Sequence, residues 1–269
     1  MAATDRVFSG SIAELYERYL VPLIFEPYAL DLANRLADTR SQRVLEIAAG
    51  TGVVTRALAA RLPASTQIVA TDLNEPMLNH AKTRLQDARV TWKQADAQTL
   101  PFEDQSFDAV VCQFGAMFFP DKVGAYKEAR RVLKPGGRFL FNVWDKISDN
   151  EFADVVTQAV AEMFPDDPPL FLARTPHGHY DVARIRADLE AAGFSDIAVE
   201  AKDERSKAPS PRDPAVAYCE GTPLRNEIEA RDKARLQEAT ARAAEAIARR
   251  FGPGPVDGRI RAIIVTALN

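Results

Sequence analysis

The sequence predicts an open, doubly wound α/β fold of Rossmann-like type, with a mostly parallel seven-stranded sheet and a helical cap. Between residues 43 and 144, short apolar β-like runs alternate with helix-like segments, the rhythm of a parallel sheet with helical crossovers. The first run ends in a small-residue turn that passes straight into a helix. Open α/β sheets bind ligands in such places, at the carboxyl ends of their strands.

Residues 44–48 (VLEIA) read as the first strand and residues 53–62 as a helix ended by Pro63. Residues 67–72 (QIVATD) form a second strand, and residues 75–85 a second helix with Pro76 in its first turn. A third strand begins at residues 90–92, a fourth covers 107–112, and 121–133 is a helix. The turn Pro135–Gly137 leads into a fifth strand at 138–143. Beyond this the rhythm breaks. Residues 147–175 read as irregular, 181–192 as a helix ended by Gly193, and 194–200 as the sixth strand. Residues 205–214 read as a polar connection, 227–251 as one long amphipathic helix, and 258–267 as the last strand. Residues 12–36 are amphipathic and contain Tyr16, Tyr19 and Tyr28.

The expected organisation is therefore discontinuous. Residues 39–146 form a cofactor-binding α/β core, to which 181–204 add a helix and the sixth strand, and 258–269 the final strand. Residues 1–38, 147–180 and 205–257 supply helical cap segments.

The chain has 269 residues, 46% hydrophobic and 27% charged, enough for a substantial core. A net charge of -4 and a pI of about 5.6 leave no electrostatic footprint for nucleic acid or an anionic membrane. No apolar run approaches the roughly 18 residues that a membrane span needs. Residues 1–6 lead into an amphipathic stretch without the apolar centre of a signal peptide. Cys112 lies in an apolar run and reads as a core residue rather than half of a disulfide with Cys219. These features predict a cytoplasmic protein.

The strongest local signal is VLEIAAGTGVVT at residues 44–55. Ala48, Ala49, Gly50, Thr51 and Gly52 let the backbone pass close to a ligand, ahead of a helix N-terminus with unpaired N–H groups. Such a turn suits a dinucleotide or an adenosyl cofactor. The dinucleotide fingerprint, however, wants Gly or Ala where this chain has Thr55. Asp72 ends the next strand, where a carboxylate can accept both hydroxyls of an adenosine ribose. Its bland alternative is helix capping, a role that Asn74 is better placed to fill. Asp96 follows the third strand, positioned to accept amino hydrogens of adenine, and Ala97 leaves room for the ring. After the fourth strand, VCQFGAMFFP (residues 111–120) brings apolar and aromatic residues to a strand tip, to wall a ligand or to pack in the core.

In this order and spacing, residues 40–144 resemble the class I S-adenosylmethionine-dependent methyltransferases. The branch most similar acts on small molecules such as quinones, sterols and secondary metabolites. RVLKPGGRF at 131–139 and Ala192-Gly-Phe194 also look like that branch. The resemblance implies S-adenosylmethionine as methyl donor and S-adenosylhomocysteine as product. It places Ala48, Gly50 and Gly52 beneath the methionyl part and Asp72 on the ribose. Leu73 and Met77 would flank adenine, and Asp96 with Ala97 would read it. Gln113 and Phe114 would line the wall nearest the sulfonium, with Tyr16 or Tyr19 closing over it. The family usually has Gly where this chain has Ala48, so a methyl group is expected to narrow the methionine pocket.

Transfer from a sulfonium needs mainly alignment of acceptor, methyl and sulfur, worth about 7–11 kcal/mol, and a general base is optional. The candidates are His177 and His179, in TPHGHY at 175–180. A substrate-shaping role comes first for them, a general base second, and metal binding last, because no third ligand completes a site. His80 reads as a solvated helix residue, and no metal is expected. The acceptor is expected to be a small molecule, with Phe152, Phe164, Phe171, Leu172 and Tyr180 hinting at an apolar or aromatic one. Rival readings are an NAD(P)-dependent oxidoreductase and a non-catalytic adenosyl-binding module. RNA methylation lacks its Asn/Asp-Pro-Pro-aromatic signature after the fourth strand.

Overall fold

The computed structural model describes residues 11–269; the start of the expected 1–38 segment lies outside the described residues. Its strands are β1 (Arg43–Ile47), β2 (Gln67–Asp72), β3 (Val90–Gln94), β4 (Phe107–Gln113), β5 (Leu133–Trp144), β6 (Asp196–Ala208) and β7 (Val256–Leu268). They form one seven-stranded sheet in the order β3-β2-β1-β4-β5-β7-β6. β1 pairs in parallel with β2 (Val44 opposite Ile68) and with β4 (Val44 opposite Ala109). β2–β3 and β4–β5 are also parallel. β7 runs antiparallel to β5: Asn269 exchanges backbone hydrogen bonds with Gly136 and Gly137, and the Asp145 amide donates to Arg261. The chain order thus reverses at β1, which has β2 on one side and β4 on the other. That is the topological switch point where doubly wound sheets open a crevice.

The helices are α1 (Ser11–Leu15), α2 (Glu26–Ala37), α3 (Val53–Arg61), α4 (Glu75–Arg84), α5 (Lys122–Val132), α6 (Glu151–Ala161), α7 (Phe171–Arg174), α8 (Val182–Ala191), α9 (Arg212–Glu220), α10 (Leu224–Arg231) and α11 (Leu236–Phe251). Between α1 and α2 the chain is π-helical over Tyr16–Phe25, with Pro22 inside. Proline lacks the amide that an α-register bond would use, and a wider register accommodates the missing donor.

The chain divides into two compact units. One takes the described residues up to Phe25, Trp144–Gly178 and Asp203–Ala262; the other takes Glu26–Val143, His179–Lys202 and Ile263–Asn269. In the second, the sheet interior is filled by Val44, Leu45, Ile47, Ile68, Val110 and Val111, all at most 1% exposed. Phe139 stacks on Phe141 at 4.7 Å and on Phe194 at 6.0 Å, and Tyr126 tilts against Phe141 at 5.4 Å. In the first unit, α11 packs on α6 and α9 through Ala239, Ala243 and Ile247. There Phe152 meets Phe251 edge-on at 4.9 Å. A Cβ on Gly258 would come within 3.0 Å of the Phe152 ring, so that position needs glycine for close approach.

Several elements differ from the sequence reading. The segment read as irregular contains α6, which buries Phe152, Val155, Val156, Ala159 and Val160 and turns Glu151, Asp154 and Gln158 outward, a helical pattern that the sequence reading passed over. The long helix expected at 227–251 is broken. Asp232 leaves helical geometry at φ -156° and its side chain accepts from the Ala234 amide at 2.9 Å, starting a new helical run. The polar connection after residue 204 is in part strand. β6 continues to Ala208 with alternating charged residues, the composition of a sheet edge protected against further pairing. β7 begins at Val256, slightly ahead of the expected start.

α8 begins where Asp181 accepts from the amides of Ala183 (2.9 Å) and Arg184 (3.3 Å). Asp181→Ala is expected to cost about 1 kcal/mol of stability. The urea midpoint should fall with an unchanged slope; an unchanged midpoint would show that the cap contributes nothing.

Candidate active site

At the switch point, β1 ends in a turn whose residues alternate into left-handed backbone: Ala48 at φ 56°, Gly50 at 57° and Gly52 at 81°. The Ala49 amide donates to Thr71 O at 2.9 Å, tying the turn to β2, and the Gly52 amide donates to Ala49 O at 2.9 Å. A Cβ on Gly52 would lie 2.9 Å from the Trp92 ring and 3.1 Å from Ala81 Cβ, so glycine lets the turn approach β3 and α4. A Cβ on Gly50 would meet only Met77 Cε, at 3.9 Å, so the space above Gly50 is open. α3 then starts at Val53, with its first amides lacking intrahelical acceptors.

Asp72, at the tip of β2, reaches back over this turn. Its Oδ2 accepts from the Gly50 amide at 2.8 Å and its Oδ1 from the Asn74 amide at 2.7 Å. Asn74 occupies the N-cap position of α4, but its side chain makes no capping bond there; its amide leans on Asp72 instead, at 3.4 Å. Asn74 thus holds the expected N-cap position without making the capping bond. Burial raises the pKa of Asp72, and the amide donors from Asn74 and Gly50 oppose the rise. Asp72 as a residue is 7% exposed.

Around Asp72, Met77 is buried and Leu73 is 42% exposed, an apolar side chain presented to solvent. Asp96 is half-buried, with Oδ1 accepting from the Gln98 amide at 2.9 Å, and Ala97 is buried beside it. Gln113 and Phe114 are buried at the end of β4. Phe114 adopts φ 50°, and its amide donates both to Asn142 O (3.1 Å) and to Asn142 Oδ1 (2.9 Å). Its ring meets Tyr28 edge-on at 5.4 Å. Tyr16 and Tyr19 are half-buried in the other unit, where Tyr16 stacks on Phe25 at 5.0 Å. Thr51 is buried within the turn, and its carbonyl accepts from Arg56 at 2.8 Å.

Of the two histidines, His177 belongs to one unit and His179 to the other. His177 is buried, donates from Nδ1 to Asp145 O at 2.8 Å, and tilts against Trp144 at 5.9 Å. His179 is buried beside the Tyr126 hydroxyl at 3.4 Å. Burial lowers both pKa values to about 4, helped at His179 by Lys122 and Arg184. Imidazoles of that pKa are weak bases at neutral pH. Among the described residues no group of three His, Cys, Asp or Glu side chains is arranged to hold a metal ion.

Sequence reasoning missed Glu46, a carboxyl group in the middle of β1 with 1% exposure. Thr55 donates to its Oε2 at 2.6 Å, which explains why a hydroxyl stands where a dinucleotide turn would have Gly or Ala. Desolvation lifts the Glu46 pKa to about 8; the Thr55 bond opposes the rise and nearby Asp72 adds to it. A charged residue inside an apolar strand was the available signal. Asn142 offered none.

A family model described as a methyltransferase domain matches residues 45–141. The ubiquinone/menaquinone biosynthesis C-methyltransferase UbiE of Idiomarina loihiensis is 34% identical over 190 residues, covering 65% of this chain and 73% of that protein. The corresponding Pseudomonas aeruginosa protein is 30% identical over 205 residues, covering 71% and 75%. Among solved structures, phosphoethanolamine N-methyltransferase 2 of Haemonchus contortus, in complex with S-adenosyl-L-methionine, aligns with a TM-score of 0.62 at 21% identity. That alignment covers all of this chain and 60% of that one. The YcgJ protein of Bacillus subtilis aligns with a TM-score of 0.57 at 21% identity, covering 90% and 98%. At these identities the structural likeness concerns the fold. Among the described residues, no helix is long and apolar enough to cross a membrane.

The titrations here have opposite signs. The unfolded chain protonates the two histidines near pH 6.5 and the folded chain only near 4, so stability falls as pH drops through that window. Glu46 keeps its proton to about pH 8 when folded but loses it near 4.5 when unfolded, so stability falls as pH rises between those values. Between pH 6.5 and 8 the Glu46 effect acts without the histidines and amounts to roughly 2 kcal/mol. Thermal unfolding should therefore show Tm declining over that interval. Glu46→Gln, which still accepts from Thr55, should flatten the decline; an undiminished slope in the variant would show that Glu46 is ionised when folded.

Proposed function

The chain belongs to the class I S-adenosylmethionine-dependent methyltransferases that act on small molecules, and on that premise we propose which of its residues hold the methyl donor and border the transfer. The turn from Ala48 to Gly52 receives the methionyl part, Asp72 the ribose, Leu73 and Met77 the faces of adenine, and Asp96 with Ala97 its edge. Gln113 and Phe114 border the transferring methyl group.

The observation that carries this reading is the state of Asp72. Backbone amides on both sides hold the carboxylate in place, and desolvation makes further donors favourable. Two hydroxyl donors from a ribose meet that requirement. The open space above Gly50 and the exposed Leu73 fit an extended ligand with an adenine ring at one end.

Bound there, S-adenosylmethionine supplies a methyl group on a sulfonium, already activated for in-line displacement. The protein's task is to fix the donor and exclude water, and alignment of this kind contributes about 7–11 kcal/mol. The rigid turn, tied to β2 through Ala49 and Asp72, does the fixing. Neither His177 nor His179 is suited to proton removal at neutral pH, so acceptors that need little deprotonation are favoured.

For the acceptor we propose a small apolar or aromatic molecule. The buried Phe114 at the strand tip supports it, as do relatives named as C-methyltransferases of ubiquinone and menaquinone biosynthesis. Phe152, Phe171 and Leu172 give no such support, because they fill the interior of their own unit.

Asp72→Ala should weaken S-adenosylhomocysteine binding by about 1.5–3 kcal/mol, roughly 10- to 150-fold, in calorimetric titration of a folded variant. Wild-type affinity in that variant would remove the ribose assignment.

A further inference from the structure

Ala48 and Gly115 have exchanged the residue types that their backbones favour. Ala48 sits at φ 56°, in the left-handed region where glycine is the relaxed choice. Gly115 sits at φ -98° and ψ -34°, a conformation open to any residue. The reason lies between them. A Cβ on Gly115 would fall 2.4 Å from the Ala48 methyl and 2.8 Å from Cys112 Sγ. Neither neighbour can swing aside: one is a methyl fixed to the backbone, and the other is a thiol buried in β4. Gly115 is therefore glycine because the Ala48 methyl and Cys112 Sγ together fill the place of its Cβ, and not because its own backbone demands it.

The contact joins two loops that matter. Ala48 opens the turn that continues through Gly50 and Gly52. Gly115 directly follows Gln113 and Phe114 and leads into the short 3-10 turn Ala116–Phe118. The far side of that loop is anchored as well: Asn142 accepts the Phe114 amide, and Lys122 donates to the carbonyls of Phe119 (3.1 Å) and Met117 (3.4 Å). A loop held on its outer side and packed by a methyl on its inner side has its position set by that packing. The expected narrowing of the methionine pocket takes a different form, since the Ala48 methyl lies against the space that glycine leaves free at 115.

We propose that Ala48 and Gly115 are a coupled pair of positioning residues, one methyl thick, that sets the gap between the turn receiving the methyl donor and the wall bordering its sulfur. The proposal rests on the donor site assigned above. A second methyl at residue 115 must push the loops apart; deleting the one at residue 48 removes the nearer of its two clashes and leaves the 2.8 Å approach to Cys112 Sγ.

The test is a double-mutant cycle read by S-adenosylhomocysteine affinity, with Tm recorded alongside. Gly115→Ala should bind S-adenosylhomocysteine at least tenfold more weakly than wild type while remaining folded. Ala48→Gly/Gly115→Ala, in which only the Cys112 clash persists, should recover part of that loss. A merely structural role would lower Tm in Gly115→Ala and leave the affinity of the folded protein unchanged, and that result overturns the proposal. So does a double variant that binds no better than Gly115→Ala. If Gly115→Ala does not fold, the double variant decides: a folded, binding protein supports the coupling, and one that fails to fold or bind contradicts it. Wild-type protein that binds no S-adenosylhomocysteine removes the donor site and this inference together. Wild-type binding combined with an additive cycle removes the inference alone.

Discussion

Much of this molecule's chemistry depends on where one carboxylate sits. Asp72 ends β2 at the point where the sheet's strand order reverses, and it spends its inner lone pairs on the amides of Gly50 and Asn74. Those bonds couple the β1 turn to the start of α4, so turn, strand and helix keep one arrangement. A buried carboxylate is costly unless donors surround it. Here the backbone supplies part of the set, and the remaining demand is what suits the position to the ribose role proposed for it. Glu46, one strand over, shows the contrast. It is buried more completely, is met by the Thr55 hydroxyl, and keeps its proton to about pH 8, so it braces β1 against α3 without presenting a charge to a ligand.

Desolvation also governs the two histidines. Both lie near Tyr or Trp rings and both are desolvated, which favours the neutral form. A reaction whose leaving group is already a sulfonium tolerates the lack of a strong base, because alignment supplies much of the rate. The investment of structure in the turn and in the β4 exit, where Ala48 and Phe114 both hold left-handed backbone, suits a protein that works by placement.

What the sequence showed was local. The alternation of strands and helices from residue 43 to 144, the small-residue turn and the acidic residue at the end of β2 are short-range patterns, and each maps directly onto the fold. What it hid was tertiary. β6 is an edge strand whose charged alternation reads like a loop, whereas the stripe of α6 (Glu151, Asp154, Gln158) was present in the sequence and passed over. The Glu46–Thr55 bond and the Ala48–Gly115 contact join residues from different elements, with no spacing that announces them. Asn74 stands at the N-cap of α4 as expected but caps nothing with its side chain, and its own amide donates to Asp72.

The central claim is that the crevice at β1 is built for an adenosyl group bearing a sulfur side chain, rather than for a dinucleotide. Calorimetric titration of the intact protein with S-adenosylhomocysteine, with NAD titrated in parallel under the same conditions, tests it most directly. The account predicts saturable binding of S-adenosylhomocysteine in the micromolar range and no heat of binding from NAD. Binding of NAD without S-adenosylhomocysteine would contradict it.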